Sequence, residues 1–367
     1  MTIGIEANHA NKEQRTGVEN YCWQIINNLK KQIPSDVRVI LYSQKPLLPG
    51  LGENMPKNWE VKILAWPFGK LWSQFRLSFE LLKNKPDVFF APGQLIPFFS
   101  PTNTVVTVHD SAFMVFPKTY RFFGRQYLKW MNKRIAKKAK IIITPSQFSK
   151  NEFIRLYSFP ENKIKVTPLG YNEEIYNISK DFVYPELKTD KPFIFFVGRL
   201  EDKKNIGGLL EAFEKIKSKY DVNLLLAGKP GCGFEKIAIK IENSSFKKDI
   251  ITPGWLSDEQ ISVCFKKALF FVFPSVYEGF GLPLLEAMAC GCPILASSGH
   301  CLEEVGGQAV EYFDSNKIED FVQKMEMLIL DENKRKMLKE RGLQRVLEYS
   351  WPKTAFKTAE TLLGLQN

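Results

Sequence analysis

The sequence predicts an α/β protein built from two Rossmann-like, doubly wound domains. Three observations predict it. Short apolar runs alternate with helix-length amphipathic segments, the pattern of parallel strands joined by helices. The runs are near-continuous in β-branched and aromatic residues and end in turn residues, as strands buried on both faces do. A polar stretch at 172–191, broken by Pro185 and followed by Pro192, divides the 367 residues into halves of similar size, each large enough for its own core.

In chain order, "MTIGIEANHA" reads as a first strand; it lacks a basic start followed by an apolar segment, so no secretory leader is expected. "QRTGVENYCWQIINNLKK" follows as a helix. "VRVILYS", "DVFFA", "NTVVTVHD" and "AKIIITPS" are strands of the first half. After the seam come "PFIFFVGR", "VNLLLAGK", "ALFFVFPS" and "CPILASS", with "NIGGLLEAFEKIKSKY" as an intervening helix. No internal repeat or low-complexity tract appears.

Composition narrows the function. Hydrophobic residues make up 44% and charged residues 25%, as in a soluble globular protein, and no run approaches a membrane span. Six cysteines, at 22, 232, 264, 290, 292 and 301, have no repeated spacing, and Cys290 with Cys292 lacks the partners of a zinc site. They read as buried thiols of a reducing cytosol. The net charge of +11 suits nucleic acid, anionic lipid or phosphate-bearing substrates without choosing among them.

In open parallel sheets, ligands bind beyond the carboxyl ends of the strands. After "ALFFVFPS" comes "VYEGFGLPLLEAMACG". Pro283 suits a first helical turn and Gly291 a left-handed helix end, so a helix starts near Leu282. Gly279 and Gly281 leave its first N–H groups approachable, an anion site. Glu286 lies one turn in and Glu278 borders the other side; as carboxylates they suit hydroxyls of ribose and sugar. Alternatively, Glu286 only complements the helix dipole. After "PFIFFVG" comes "RLEDKKN", where Arg199 and Lys204 suit a diphosphate, although basic loop residues are commonly just solvated. His109-Asp110 follows "NTVVTV". No Asp-x-Asp occurs, so no metal is expected to carry the diphosphate. No G-x-G-x-x-G follows the first strand, which weighs against a nicotinamide dehydrogenase.

Taken together and in order, these stretches resemble glycosyltransferase family 4, retaining enzymes of the GT-B fold whose two domains face a central cleft. "EGFGLPLLE" is similar to its E-x7-E motif, "FVGRLEDKKN" to its diphosphate loop and "TVHD" to its catalytic histidine strand. "ITPSQFSKNEF" with "IKVTPLGYNEEIY" resembles the close of its N-domain. "PGWLSDEQI" looks like its nucleoside-side loop, and "YSWPKTAFKTAETLL" like a terminal helix that crosses back to the N-domain. The resemblance implies an acceptor-side domain at 1–172 plus 350–367 and a nucleotide-sugar domain at 190–349. It implies that Glu286 binds the ribose, that Glu278 with the Gly279, Phe280, Gly281 and Leu282 backbone binds the sugar, and that Gly254, Trp255 and Leu256 lie by the nucleoside. Arg199 and Lys204 would hold the diphosphate, His109 would contact the sugar at the reaction centre, and Gly17 would open a helix near the phosphates. "RTGVENY" departs from the commoner glycine-pair form, and His9 has no role. The reaction implied is retaining, metal-independent transfer from a nucleotide-sugar, GDP-mannose or a UDP-sugar, without a cofactor.

Residues 118–140, "KTYRFFGRQYLKWMNKRIAKKAK", hold nine Lys or Arg and no acid. On a helix, Tyr127, Met131, Ile135 and Ala139 form one stripe, and Arg125, Lys129, Lys133 and Lys137 another. The apolar stripe suits a sheet; the cationic face, with Phe122, Phe123 and Trp130, suits anionic lipid. No nucleic-acid motif accompanies the charge. The expectation is a cytoplasmic enzyme, peripheral at the inner face of the plasma membrane, that adds sugar to a glycan or lipid-linked acceptor of a cell-surface polysaccharide or lipopolysaccharide. A nucleotide-sugar 2-epimerase on the same fold, or a non-catalytic glycan- or partner-binding GT-B protein, are the rivals.

Overall fold

The apolar runs become strands buried on both faces, and each half of the chain closes its own sheet. The structure is a computed structural model that describes all residues except Thr16, Gly69, Lys70, Lys188, Gln366 and Asn367, and every side chain but those and that of Lys118. Thr16 of "RTGVENY", the Lys118 side chain of the basic segment, Lys188 of the seam and the last two residues of 350–367 therefore lie outside the described residues.

One compact unit comprises Met1–Val115, Phe122–Gly170 and Ser350–Asn367. Its strands are β1 (Thr2–Glu6), β2 (Arg38–Ser43), β3 (Trp59–Ile63), β4 (Val88–Ala91), β5 (Thr104–Thr107), β6 (Ile141–Thr144) and β7 (Ile164–Val166). They form one parallel sheet in the order β3-β2-β1-β4-β5-β6-β7. The order reverses between β1 and β4, so the loops leaving those two strands diverge and leave a crevice at their carboxyl ends.

The other unit comprises Phe116–Arg121 and Tyr171–Tyr349. Its strands are β8 (Phe193–Val197), β9 (Asn223–Ala227), β10 (Ile250–Gly254), β11 (Phe270–Phe273), β12 (Ile294–Ser297) and β13 (Glu311–Phe313), also all parallel. The order β10-β9-β8-β11-β12-β13 puts the reversal between β8 and β11. Rings fill the core here: Phe265 meets Phe195 at 5.2 Å and Phe271 at 5.1 Å, both edge-on, the geometry aromatic quadrupoles favour.

Several segments depart from the sequence reading. The seam at 172–191 is not a free linker but part of the second unit: Tyr176 and Tyr184 are buried, and Ser262 donates to the Ile175 carbonyl at 3.1 Å. Segment Phe116–Arg121, placed by sequence within 1–172, groups with the second unit, where Phe116 meets Tyr277 edge-on at 5.9 Å. Cys232 is exposed rather than buried, while the other five thiols are buried, and none of the six forms a disulfide.

The helix Trp351–Leu363 belongs to the first unit. Ser350 caps it, Thr354 donates to the Pro168 carbonyl at 2.7 Å, and Trp351 approaches Tyr21 of the helix Gly17–Leu29, ring centroids 6.1 Å apart. Gly170 admits this entry because a Cβ there would lie 2.0 Å from the Trp351 nitrogen. Gly170→Ala is expected to cost about 3 kcal/mol or more, since backbone cannot yield as a side chain does. A Cβ on Gly17 would meet nothing within 4 Å, so Gly17→Ala is expected to be neutral. Urea denaturation of both variants checks this; equal losses would refute it.

Candidate active site

The second unit brings most of the sequence-predicted residues to the carboxyl ends of its strands. β8, β9 and β10 run out at Gly198, Gly228 and Gly254, with φ of +150°, +142° and +81°. Gly228 has no alternative, because a Cβ there would stand 1.8 Å from the Gly198 carbonyl oxygen. Its N–H donates to the Gly254 carbonyl at 2.7 Å, and Gly198 N–H to Ala227 at 3.0 Å. The loops of adjacent strands thus hydrogen-bond edge to edge, and each carries a basic or aromatic residue next: Arg199, Lys229, Trp255.

Arg199 and Trp255 are exposed, and Lys229 Nζ lies 5.6 Å from the centre of the Trp255 ring. Leu256 is buried below. Ser257 and Gln260 form a capping box that opens the helix Asp258–Lys267 and fixes the Trp255 turn.

Lys204 closes a 3-10 turn at Asp202–Lys204, and Glu278 lies in the loop after β11. Sequence gave them separate targets, diphosphate and sugar, but the structure joins them: Lys204 Nζ forms an ion pair and hydrogen bond with Glu278 Oε1. Both side chains are largely buried, at 14% and 12% exposure, and the ammonium also lies 5.1 Å from the Phe273 ring centre. Burial alone would raise the Glu278 pKa; Lys204 and Lys203 outweigh it and hold the carboxyl below its ordinary range. The loop is tied from both sides. Val276 N–H donates to Lys203 O at 3.1 Å, and the Cys301 thiol donates to Glu278 O at 3.0 Å. Neighbouring His300, buried and pushed toward its neutral form by desolvation, contacts the Ser275 carbonyl through Nε2 at 2.8 Å.

The helix Leu282–Ala289 begins as expected. Gly281 is its left-handed N-cap, φ +94°, and Gly291 closes it at φ +68°. A side chain at Gly281 would collide with Leu302. Phe280 is buried against Tyr349, 6.0 Å edge-on. Glu286 is half-buried and, among the described residues, has no hydrogen bond or ion pair. Burial first and Asp258 second push its pKa up to about 8. Tyr176 faces both carboxylates and hydrogen-bonds Asp258. So the site has a cationic part at Arg199, Lys204 and Lys229, suited to phosphate, and an acidic part at Glu286 and Asp258, suited to hydroxyls.

His109 and Gly17 lie in the first unit. Gly17 is the exposed first residue of its helix. His109 follows β5, fully desolvated, with Nε2 2.9 Å from the Pro92 carbonyl and its ring edge-on to Tyr21 at 4.7 Å. A carbonyl only accepts, so Nε2 carries the proton and Nδ1 is the free lone pair of the neutral ring; burial lowers its pKa. Pro92 and Gly93 leave β4 at the reversal, where His9 leaves β1. The His9 ring lies against Gly93, whose Cβ would approach it to 2.6 Å, and His9 Nδ1 meets the wholly buried Glu6 at 2.9 Å. Burial opposes charge on His9, but Glu6 prevails and raises its pKa. Sequence reasoning missed Lys229, Asp258 and the Glu6–His9 pair. The first had a signal, since "LLAGK" repeats the strand-Gly-base pattern of "FFVGR". Asp258 and Glu6 had none, because their meaning depends on neighbours distant in sequence.

Two parallel, doubly wound sheets, with an anion-friendly helix start after a strand of the second, define the GT-B class of glycosyltransferases. Residues 15–175 match the family described as Glycosyltransferase Family 4, and residues 177–345 the one described as Glycosyl transferases group 1. The chain belongs to glycosyltransferase family 4 and is a glycosyltransferase. It is similar to the O-antigen chain mannosyltransferase B of Escherichia coli, 28% identical over 77% of this chain and 76% of that one. Its fold is similar to that of sucrose-phosphate synthase from Thermosynechococcus elongatus, with TM-score 0.77, 19% identity and 99% and 98% of the chains covered. The Anabaena protein HepE in complex with UDP and glucose also shares it, with TM-score 0.73, 16% identity and 98% and 99% covered.

The lone Glu286 carboxylate has a consequence for stability. Its proton is held more tightly in the folded chain than in the unfolded one, so between pH 4.5 and about 8 the folded state binds more protons and stability falls as pH rises. Glu286→Gln is therefore expected to match the parent at pH 4 and exceed it by roughly 2–4 kcal/mol at pH 8.5. Denaturation at both pH values checks it; a gain independent of pH would refute the assignment.

Proposed function

We propose that the protein transfers a hexose, with retention, from a nucleotide-sugar to a glycan or lipid-linked acceptor of a cell-surface polysaccharide. The single observation that carries the donor assignment is Glu286: a half-buried carboxylate with no protein partner, one turn inside a glycine-opened helix. A ribose diol would supply hydroxyl partners to its protonated or its ionised form, since a hydroxyl both donates and accepts. The same ligand would place its diphosphate toward Arg199 and Lys204 and its sugar toward Glu278 and the Gly279–Leu282 backbone. Trp255, with Gly254 and Leu256, would flank the base. The mannosyltransferase relative favours GDP-mannose as donor and O-antigen-like polysaccharide as the product class.

For the chemistry, we propose that departure of the diphosphate is stabilised without a metal, by Arg199, Lys204 and the helix start at Gly281. Positive charge then develops on the sugar, and the acceptor hydroxyl enters from the face the diphosphate leaves. For His109 we propose contact with the transferred sugar. Its neutral state and fixed tautomer support that role: an imidazolium beside an oxocarbenium-like centre would be unfavourable. For Gly17 we propose an approach to the donor phosphates. The 2-epimerase and the non-catalytic readings lose ground because the Arg199, Lys204, Glu278 and Glu286 set is intact.

Calorimetric titration with GDP and UDP tests the donor site. One diphosphate is expected to bind selectively, Glu286→Gln to weaken it, and Glu278→Gln to impair transfer more than it weakens binding. Equal loss in both variants would overturn the division of roles. Initial rates of donor turnover test the chemistry. Activity is expected to survive EDTA, and Arg199→Ala to lose about 2–4 kcal/mol of transition-state stabilisation. Arg199→Lys should recover only part, because an ammonium lacks the bidentate fork. Loss of activity in EDTA, restored by magnesium or manganese, would overturn the metal-free assignment.

A further inference from the structure

The basic segment of the first unit forms the helix Phe122–Lys138. Met131 and Ile135 face the core, as their spacing requires, whereas Tyr127 is exposed. Lys129, Lys133, Lys137 and Lys138 have no ion-pair partner among the described residues. Beside this helix lies a second surface that the sequence reading did not single out. Between β3 and β4 the chain makes a helical stretch, π-type at Ser73–Leu77 and α-helical at Ser78–Lys83. Trp72, Leu77 and Leu81 turn inward, but Leu71, Phe75, Phe79 and Leu82 are 51%, 50%, 62% and 61% exposed. Phe75, Phe79 and Leu82, spaced by four and three, share one face of the helical stretch, and exposed Leu71 lies just before it. The stretch is therefore apolar on two opposite faces, which a helix bordered by water does not favour.

Ring contacts make the two surfaces one. Phe68 meets Trp66 at 5.3 Å, Trp66 stacks near Phe75 at 6.2 Å, Phe75 meets Phe98 at 5.5 Å and Phe98 meets Trp130 at 5.6 Å. Arg134 locks the junction: its guanidinium sits 5.3 Å from Phe98 and 5.2 Å from Trp130 and donates to the Pro97 and Phe98 carbonyls. The carboxylate within this stretch, Glu80, is already neutralised by Lys62 and Arg76. An exposed aromatic ladder thus continues into a helix bearing cations and no acid.

We propose that this joined face of the first unit seats on an anionic lipid bilayer, with the Leu71–Leu82 stripe entering the headgroup boundary and the Phe122–Lys138 helix resting on the phosphates. The charge decides the occupant. Lysines without ion-pair partners, continuous with an exposed apolar stripe, are complementary to an extended anionic surface, and Trp, Tyr and Phe beside them are the composition of a membrane-interface belt. Seating here would hold a transferase beside lipid-linked acceptors. The inference rests on that reading only for its purpose; binding to lipid is a separate observable from binding of GDP or UDP.

Co-sedimentation of the full chain with vesicles tests the proposal, comparing phosphatidylglycerol–phosphatidylethanolamine with pure phosphatidylcholine. Binding is expected on the first, absent on the second, and weakened by salt as surface attraction is screened. Lys129→Ser, Lys133→Ser and Lys137→Ser together should weaken partitioning roughly a hundredfold, about fivefold for each cation. Phe75→Ser with Phe79→Ser should leave salt-sensitive adsorption but abolish quenching of tryptophan fluorescence by brominated lipid. Melting temperatures confirm the fold of each variant, and Leu82→Ser alone serves if the double variant unfolds. No binding, equal binding to both vesicles, or quenching unchanged in the apolar variants would overturn it. So would a self-associated species in sedimentation velocity that Phe79→Ser dissolves while vesicles do not bind. Retained GDP or UDP binding in any of these cases would leave the transferase reading standing.

Discussion

A buried ion pair holds the candidate active site together. Lys204 belongs to the loop leaving β8 and Glu278 to the loop leaving β11, the two strands between which the sheet order reverses. Such loops diverge, and nothing in the strand ladder keeps them in register. Two opposite charges withdrawn from water do so, because removing either partner leaves the other buried and uncompensated, at a cost of about 3–5 kcal/mol. The Val276–Lys203 backbone bond and the Cys301–Glu278 contact then have a fixed frame to attach to. With Glu278 held, Gly279 to Leu282 follow as the turn that opens the helix Leu282–Ala289.

Much of this was legible in the sequence, and what was not shares physical causes. The nine runs read as strands correspond to strands that have neighbours on both sides, β1, β2, β4, β5, β6, β8, β9, β11 and β12. Four strands that were not assigned, β3, β7, β10 and β13, lie at the four sheet edges. An edge strand is half in water, so "WEVKI" and "EYF" mix charge with apolar residues and lose the pattern. Glycines at helix ends could be placed because φ > 0 excludes most other residues. Gly228 could not, since its requirement is the Gly198 carbonyl of another loop. The same holds for charge: motif spacing names Lys204 and Glu278 but is silent on their mutual neutralisation.

The two histidines in the strand-end loops show how burial sets chemistry that composition leaves open. His109 gives its Nε2 proton to a carbonyl and is desolvated, so its neutral form is favoured. His9, a few residues beyond β1, meets a buried carboxylate instead, and its charged form is favoured. They flank the same Pro92–Gly93 segment, one through a hydrogen bond and the other through ring contact with Gly93. The charge on His9 is one of the effects that keep His109 neutral. His9 is thus a positioning and electrostatic neighbour of the motif histidine, which gives a physical place to a residue that the family resemblance left without a role.

Natural chains satisfy local rules nearly everywhere, and departures concentrate where function needs them. Here the departures are of two opposite kinds. Glu286 is a carboxylate set into protein with Asp258 as neighbour and no cation, a polar group lacking partners. The Leu71–Leu82 stripe is apolar surface lacking cover. Each is unfavourable in the isolated chain, and each would be relieved by the occupant proposed for it: hydroxyl groups for the first, a lipid headgroup boundary for the second. A stable scaffold needs neither feature. The buried Lys204–Glu278 pair, by contrast, is satisfied within the protein and sets the frame on which the proposed donor site is built. Satisfied charge fixes the frame, and unsatisfied groups mark where other molecules belong.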